Sequence, residues 1–282
     1  MELEAKSPIV TIIMPVHNGE KHLRNAIESI LGQTFSDFTF LIIDDGSTDE
    51  SVNIAKSYTD PRIKLKVNEE NFGISKTLNI GIECSKSIYI ARMDQDDISL
   101  PNRIETQVHF MNTHPEVGVC GTWIKTFGAG RAEYTKKLPA HHDDIKVMLL
   151  FQNPMAHPTV MMRRDILNKN NLRYDTMYDG LEDYDLWEKT SLVTRMENIP
   201  IALLRYRLHP TQLSRTSATR QKKLMRIQER QYQRLGINTG DISSLLSANG
   251  VMHLYNSYSL RRSVYWVYYK NLKCYIKGLI TK

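Results

Sequence analysis

Residues 87–97 read Ser-Ile-Tyr-Ile-Ala-Arg-Met-Asp-Gln-Asp-Asp, an apolar run that leads into three carboxylates. The run Ser87–Ala91 is typical of a buried β-strand, and α/β sheets bind their ligands at the carboxyl ends of such strands. Clustered carboxylates repel one another unless a cation is bound, and hard oxygen ligands favour Mg²⁺ or Mn²⁺ over zinc or copper. The stretch therefore predicts an α/β fold that holds a divalent metal and a phosphorylated ligand.

The residues around this stretch alternate between strand and helix patterns. Apolar runs predict further strands at residues 9–14, 38–43, 63–67 and 117–121, and apolar residues at helical spacing lie between most of them. Such alternation predicts a mostly parallel, Rossmann-like α/β sheet with helices on both sides and right-handed crossovers. The acidic ends of two of its strands would then lie at the same edge of the sheet.

The regular alternation ends near residue 122, which divides the chain into regions. Loops are predicted at residues 128–130 and 136–142, and helices at 143–151, 215–235 and 255–280. We therefore predict one domain at 1–214, with a first half at about 7–121 that binds the phosphorylated ligand and a second half at about 122–214, followed by a C-terminal helical extension at 215–282.

Composition narrows the class of protein. A chain of 282 residues with 41% hydrophobic and 24% charged residues can bury a full core. Its three cysteines are far apart, which fits neither a disulfide framework nor zinc-ligand spacing and favours a reducing cytosol. Residues 1–7 lack the apolar region of a signal peptide, and no apolar stretch is long enough to span a bilayer. We expect a cytoplasmic protein, or one peripheral on the inner face of the cytoplasmic membrane.

The net charge of +6 arises from the C-terminal tail, which has six Lys and Arg residues and no acid after Asp241. Residues 255–280 also hold seven aromatic side chains. One interpretation is a helix that packs on the catalytic domain with a solvated basic side. The other is an interfacial helix that binds an anionic membrane surface. Nucleic-acid binding is not expected, because no recognised motif accompanies the charge.

The second strand ends in Asp44-Asp45-Gly46-Ser47-Thr48-Asp49. One interpretation is a strand-to-helix turn, in which Ser47 and Glu50 form a capping box that opens a helix. The other is a nucleoside site, in which a carboxylate accepts hydrogen bonds from an N–H or hydroxyl group of the ligand.

Two further acidic pairs also allow alternative interpretations. Asp94 and Asp96 can form a solvated turn, or they can share a cation that bridges a diphosphate and neutralises the leaving group. Glu182 and Asp183 fall in the first turn of a predicted helix, where the helix dipole tolerates anions. A carboxylate there that faced the metal could also act as general base for a hydroxyl nucleophile.

The histidines His157 and His209 can be ordinary hydrogen-bonded side chains. Arg207, however, lies two positions before His209 in an extended segment, so both side chains point the same way. Together they could hold phosphate oxygens or complete a metal shell.

From Ile9 to Ser214 the chain resembles the large family 2 of inverting glycosyltransferases, which have the GT-A fold. The motifs that carry the resemblance occur in order along the chain: Pro15-Val16-His17-Asn18-Gly19, Asp44-Asp45-Gly46-Ser47-Thr48-Asp49, Asn71-Phe72-Gly73 with Asn79 and Gly81, Asp94-Gln95-Asp96-Asp97, and Glu182-Asp183. Each motif alone is weak, and their order and spacing together are specific.

The resemblance implies a role for each matching residue. Nucleotide-sugar contacts are expected from Pro15, Val16, His17, Asn18, Glu20, Asp44, Asp45, Asn71, Gly73, Asn79, Arg92, Asp94 and Gln95. Asp44 or Asp45 would bind the base, usually uracil, and Asp94 the ribose or sugar. Asp96, with His209 nearby, would ligate Mn²⁺ or Mg²⁺. His157 and Arg207 are expected on the acceptor or diphosphate side. Asp183, or else Glu182, would deprotonate the acceptor hydroxyl.

The implied reaction moves a sugar from a nucleoside diphosphate sugar, usually a UDP-sugar, to a glycan or lipid-linked glycan acceptor. Processive members of the family carry a Gln-x-x-Arg-Trp motif and transmembrane helices. This chain has Gln212-Leu213-Ser214-Arg215-Thr216 and no predicted span, so transfer of a single sugar is expected.

Two other functions use similar features. A sugar-phosphate nucleotidyltransferase would carry a Gly-rich, basic phosphate loop after the first strand, where this chain has residues 15–20, Pro-Val-His-Asn-Gly-Glu. A non-catalytic nucleotide-sugar binder would be indicated by loss of the acids at 96 or 183, and both are present.

Overall fold

The structure is a computed structural model that describes residues 7–130, 132–209 and 218–234. Its strands form one mixed sheet of nine strands, in the order β3-β2-β1-β4-β8-β6-β9-β5 with β7 on β6. The strands are β1 Val10–Val16, β2 Phe38–Asp44, β3 Ile63–Val67, β4 Tyr89–Arg92, β5 Ile98–Ser99, β6 Val117–Gly128, β7 Tyr134–Lys136, β8 Met161–Arg163 and β9 Arg195–Leu208. The helices are α1 Glu20–Leu31, α2 Ser51–Lys56, α3 Ile74–Cys84, α4 Arg103–Thr113, α5 His142–Leu149, α6 Arg164–Lys169, α7 Glu182–Thr190 and α8 Ala218–Arg234.

The first four strands along the chain are parallel, as the alternating pattern predicts. Val16 pairs with Asp44, and Asp44 pairs with Val67, so β1, β2 and β3 end together. Strand β4 runs parallel to β1 and ends at Arg92, opposite Ile13. The acidic residues after β2 and β4 therefore lie at the same edge of the sheet.

The remaining strands make the sheet mixed. Strand β8 is antiparallel to β4 and β6, β7 is antiparallel to β6, and β5 is antiparallel to β9. Strand β9 instead runs parallel to β6 and pairs with it from Val117 to Gly128. This pairing returns the chain after β9 to the loop that follows β4.

Hydrophobic side chains cover both faces of the sheet. Along β1, alternate residues face opposite sides, so Ile12 packs in one core with α1 and α4, and Ile13 in a second core with α3 and α7. Both residues are fully or almost fully buried. The prediction of helices on both sides is confirmed. In the described residues, no helix is long and apolar enough to cross a membrane.

Three local predictions are wrong or shifted. Strand β6 continues to Gly128, because its long pairing with β9 outweighs the irregular pattern after residue 122. Ser47 and Glu50 do not form a capping box: α2 begins only at Ser51, and Ser47 Oγ accepts from Asn18 N at 2.9 Å. Helix α5 runs over His142–Leu149 instead of 143–151.

The basic helix predicted at 215–235 is present as α8. The predicted helix at 255–280 and its membrane contact lie outside the described residues, as does the segment 212–216.

Candidate active site

Three carboxylates cluster in the loop after β4. Asp94, Asp96 and Asp97 each have an oxygen within 4.8 Å of the other two, an arrangement that could hold a metal ion. Asp97 is buried, and its Oδ1 accepts from Arg207 N at 2.8 Å. Its Oδ2 is buried without a hydrogen-bond partner among the described residues. Burial raises the pKa of Asp97 well above its usual range, and the neighbouring carboxylates add to this effect. A bound cation would relieve both costs.

Arg92, the last residue of β4, forms an ion pair with Asp94. The Arg92 side chain is buried, whereas that of Asp94 is partly exposed. Burial raises the pKa of Asp94, and Arg92 counteracts this shift. Asp94 is therefore held in a fixed position beside the metal-binding candidates.

The end of β9 supplies two side chains to the same loop. His209 Nε2 lies 2.7 Å from Asp96 Oδ2, and Arg207 Nε donates to the Asp96 carbonyl oxygen at 2.7 Å. Both side chains therefore contact Asp96, one at its carbonyl oxygen and one at its carboxylate. His22, on the first turn of α1, adds a second imidazole whose ring centroid is 6.1 Å from that of His209. His22 has no neighbouring motif that could have marked it in the sequence.

The residues predicted to bind the nucleotide base of the donor lie at the carboxyl ends of β1 and β2. Asp45 accepts from Asn68 Nδ2 at 2.8 Å and from the backbone of Phe72 and Gly73 at 3.0 Å each. Asp44 accepts from Ser47 N at 2.9 Å, and its Oδ2 is buried without a partner among the described residues. Asp45 thus holds the loop after β3 against the end of β2, whereas Asp44 keeps unused hydrogen-bonding capacity.

Gln95, in the acidic loop after β4, joins this loop to the end of β1. Its Oε1 accepts from His17 N at 2.8 Å, and its Nε2 donates to His17 O at 3.1 Å. The His17 ring lies between Asp45 O, 3.0 Å from Nδ1, and Asn71 Nδ2, 3.1 Å from Nε2. The predicted residues His17, Asn71 and Gln95 are therefore brought together around one backbone segment.

Two predicted donor residues are used differently. Both polar atoms of the Asn79 side chain bond the backbone of Tyr174, at 2.7 and 2.9 Å, which gives Asn79 a structural role. Glu20 is exposed, and its Oε2 accepts from Glu50 N at 3.1 Å. The same turn is held by Asn18, whose Oδ1 accepts from Thr48 N. Pro15 and Val16 are buried at the end of β1.

The first turn of α7 presents the two candidate bases. Asp183 Oδ1 accepts from Tyr184 N at 2.7 Å, and its Oδ2 accepts from Asn153 Nδ2 at 2.6 Å. Glu182 Oε2 accepts from Gly180 N at 2.6 Å. The Asp183 side chain is 17% exposed, against 8% for Glu182. Asp183 is therefore the more accessible carboxylate.

Burial is the main cause of the raised pKa of both acids. It raises the pKa of Glu182 to about 7, with a further contribution from the charge of Asp183. It also raises the pKa of Asp183, where the bonds from Tyr184 N and Asn153 and the charge of Arg92 oppose the shift. The charge of Asp183 contributes to the raised pKa of Asp94, so the first turn of α7 faces the acidic loop after β4.

His157 lies behind these acids and not on an open acceptor surface. It is 7% exposed, with Nδ1 3.7 Å from Glu182 Oε1 and 3.9 Å from Asp183 Oδ2. Its Nε2 lies 2.9 Å from the Tyr174 hydroxyl. Burial, aided by Arg92, holds the pKa of His157 well below its usual range, so the ring is neutral. It shapes the site from within the core.

Sequence comparison relates this chain to glycosyltransferases. The model of the family described as "Glycosyl transferase family 2" matches residues 11–170. An uncharacterized glycosyltransferase of Haemophilus influenzae is 32% identical over 95% of this chain and 88% of its own length. The O-antigen biosynthesis glycosyltransferase WbnJ of Escherichia coli is 35% identical over 71% of this chain and 80% of its own length. The amylovoran biosynthesis glycosyltransferase AmsE of Erwinia amylovora is 32% identical over 70% and 75%.

Two solved structures are similar in fold. S. aureus TarS 1-349, in complex with UDP-GlcNAc, has a TM-score of 0.66 and 19% identity, over 77% of this chain and 65% of that chain. The mannosyltransferase PcManGT from Pyrobaculum calidifontis, in complex with GDP-Man and Mn²⁺, has a TM-score of 0.55 and 18% identity, over 71% and 57%. At these identities the likeness shows the fold alone, and it confirms the predicted GT-A arrangement.

Proposed function

The chain belongs to glycosyl transferase family 2, and we propose that it transfers one sugar from a nucleoside diphosphate sugar to an acceptor hydroxyl with inversion of configuration. The observation that carries this proposal is the pairing of an acidic cluster after β4 with an accessible carboxylate, Asp183, within its electrostatic reach. A donor diphosphate and an acceptor hydroxyl need these two groups on neighbouring sides of one site.

The donor base would bind at the ends of β1 and β2. Asp44 and Asp45 offer carboxylate oxygens there, and His17 and Asn71 form the adjacent wall. A UDP-sugar with a hexosyl or N-acetylhexosaminyl group is the proposed donor, supported by the fold shared with a structure that contains UDP-GlcNAc. Asp94, fixed by Arg92, would lie on the ribose or sugar side.

Asp96 and His209 would hold Mn²⁺ or Mg²⁺, with the other carboxylates of the loop beside them. The site fits such an ion: its oxygen donors lie within 4.8 Å of one another, and Asp97 Oδ2 is buried without a partner among the described residues. When bound, the ion would act as a Lewis acid that stabilises the charge of the departing diphosphate. Arg207, beside Asp96, would add a fixed positive charge on the diphosphate side.

The transfer step would use Asp183 as general base. Its ionised carboxylate would accept the proton of the acceptor hydroxyl as that oxygen forms a bond to the anomeric carbon. The bond from this carbon to the diphosphate would break, and its electron pair would leave with the nucleoside diphosphate. Attack from the face opposite the leaving group inverts the configuration. Because the neighbouring His157 ring is neutral, it would not neutralise the base.

The acceptor would be a glycan or a lipid-linked glycan in the assembly of a cell-surface polysaccharide or glycolipid. This proposal is supported by WbnJ and AmsE, whose names place them in O-antigen and amylovoran biosynthesis. No Trp of the processive motif follows Arg215, so we propose transfer of one sugar at a time.

A donor screen tests the function. The wild-type protein, Asp96→Ala and Asp183→Asn would be incubated with nucleoside diphosphate sugars and Mn²⁺, with and without glycan acceptors, and released nucleoside diphosphate measured. We expect release from one donor in the wild type, with losses of roughly 10²- to 10⁴-fold in Asp183→Asn, since general-base catalysis contributes that much. Donor binding should persist in Asp183→Asn. Unchanged turnover in this variant would refute the base assignment.

A further inference from the structure

Asn153 contacts the proposed base and has no assigned role. It lies between α5 and the buried turn at His157, and its Nδ2 donates to Asp183 Oδ2 at 2.6 Å. A hydrogen bond to a charged acceptor is roughly twice as strong as one between neutral groups. The contact joins residues 30 positions apart, so the sequence alone did not mark it.

The orientation of the Asn153 amide is determined by the protein. Its Oδ1 accepts from Met155 N at 3.1 Å, and only the opposite amide atom can then reach Asp183. Rotating the amide by half a turn would place two oxygens against each other and two N–H groups against each other. Asn153 therefore presents a donor, and never an acceptor, to the carboxylate.

Among the described residues, two hydrogen bonds hold the Asp183 carboxylate, and the contact with Asn153 is one of them. The other comes from Tyr184 N at 2.7 Å, within α7 itself. A backbone N–H bond alone fixes one oxygen, and the second bond from Asn153 also fixes the rotation of the carboxylate plane. The remaining lone pairs then have defined directions toward the acceptor side.

Charged groups from several elements face Asp183. The charge of Asp183 raises the pKa of Glu182 on α7 and of Asp94 after β4, whereas Arg92 on β4 and Arg220 on α8 favour the ionised form of Asp183. His157 is neutral and 3.9 Å away. Because a hydrogen bond to the ionised carboxylate lowers its pKa, the short bond from Asn153 helps to keep Asp183 ionised at neutral pH.

We propose that Asn153 is a positioning residue for Asp183, which fixes the rotation of its carboxylate and stabilises its negative charge for proton abstraction. This inference rests on the proposed function, because it assigns to Asn153 a role in the same transfer step. Asn153 itself touches the base and not the reacting atoms of the sugar.

Three variants test the proposal. Asn153→Ala removes the donor, and Asn153→Asp keeps the shape but turns a repelling carboxylate toward Asp183. Gln152→Ala is the matched control, because this adjacent amide residue is exposed and, among the described residues, its side chain hydrogen-bonds only the Met148 sulfur. We expect kcat to fall roughly 10- to 150-fold in Asn153→Ala, the loss of one hydrogen bond to a charged group, with more in Asn153→Asp and no change in Gln152→Ala.

The pH profile separates positioning from a general structural defect. The base must be ionised, so the rate falls as the pH drops through the pKa of Asp183. Without Asn153 this pKa rises, and the acidic limb of kcat/KM should move to higher pH by about one unit, while the dissociation constant for UDP stays within about twofold. An unchanged acidic limb, or equal loss of UDP binding, would overturn the proposal.

Titration of the Asp183 carboxyl group needs no substrate turnover, so it tests the role of Asn153 independently of the proposed function. Aspartate labelled with ¹³C at the side-chain carboxyl reports the ionisation of Asp183, whose signal is the one missing in Asp183→Asn. Its midpoint should lie at higher pH in Asn153→Ala than in wild type. If no donor is turned over by the wild type, the proposed function fails, and the titration still decides whether Asn153 holds the charge. Equal midpoints would contradict the inference.

Discussion

Gly73 and Gly180 have the same positive φ of +86°, but their surroundings differ. A Cβ atom at Gly73 would lie 2.8 Å from Asp179 Oδ2, whereas one at Gly180 would meet no atom within 4 Å. Asp179 Oδ1 accepts from Ser75 N at 3.3 Å and from the Ser75 hydroxyl. The segment before α7 is thereby held to the start of α3, next to the loop of Asn71 and Gly73.

We predict that Gly73→Ala disturbs this link and that Gly180→Ala does not. Both substitutions should cost about 1–3 kcal/mol of folding free energy, because a side chain is strained at this φ. Gly73→Ala should cost more, because Asp179 must move, and it should also weaken UDP binding through Gly73 N, which bonds Asp45. Denaturant unfolding and calorimetric UDP titration check this. Equal stability and equal UDP affinity in the two variants would contradict it.

For single residues, the sequence predicted those that stand within motifs, but it did not predict their hydrogen-bond partners. Asp94, Asp96 and Asp183 stand in acidic motifs beside predicted strand or helix ends, and all lie in the candidate site. Asn153 and Asp179 act through partners 30 and 104 positions away, a separation at which the local pattern carries no signal. The same reason explains why Asn79, which bonds Tyr174, was expected to contact the donor.

Helix α8 stabilises α7, the helix that carries the proposed base Asp183. Arg230 Nη2 lies 2.7 Å from Asp185 Oδ1 and 2.6 Å from Glu188 Oε2, and Arg234 also pairs with Glu188. Asp185 and Glu188 are 0% and 1% exposed. Buried carboxylates are stable only when they are paired, so α7 depends on the cations of α8.

We predict that Arg230→Leu destabilises the fold by about 2–4 kcal/mol, less than a fully unpaired buried charge would cost, because Lys189 and Arg234 still contact these acids. Lys222→Ala, an exposed change on the same helix, should stay within about 0.5 kcal/mol of wild type. Chemical denaturation measures both. Adding Glu188→Gln to Arg230→Leu should recover part of the loss. A double variant with strictly additive losses would argue against the ion pair as the cause.

Elements with strong periodicity were predicted, and those set by distant contacts were not. The apolar spacing of α1, α3 and α4 and the basic run of α8 agree with the structure. The extent of β6 was missed, because its residues 122–128 become a strand through pairing with β9, more than 70 positions later. The capping box failed because Ser47 accepts a hydrogen bond from Asn18, and Asp49 accepts from Ser51 N instead.

For the whole molecule, the sheet order explains why the site combines distant segments. The parallel half, β3-β2-β1-β4, provides the donor-side residues from one continuous stretch, which is why the motifs there could be found by order and spacing. The mixed half returns β9 to the metal loop, where Arg207 and His209 meet Asp96. Since this return depends on the β6–β9 pairing, the local sequence left His209 with two possible roles, phosphate binding or metal ligation, and the resemblance to a family favoured the second.

The residues proposed to bind the donor and the metal lie at the edge of one sheet, and we therefore predict that ligand binding stabilises the whole fold. UDP at about 100 times its dissociation constant should add about 2.7 kcal/mol, a shift of several degrees in melting temperature, and Mn²⁺ should increase the shift if it joins the diphosphate to Asp96. Thermal melts would compare wild type with Asp96→Ala, and with Asp183→Asn as a control for charge removal elsewhere in the site. Asp96→Ala should keep the shift with UDP alone and lose the Mn²⁺-dependent increment, whereas Asp183→Asn should keep both. Because both variants remove one carboxylate, loss of the Mn²⁺-dependent increment in both would reflect general charge effects. A full Mn²⁺-dependent increment in Asp96→Ala would show that Asp96 does not bind the metal.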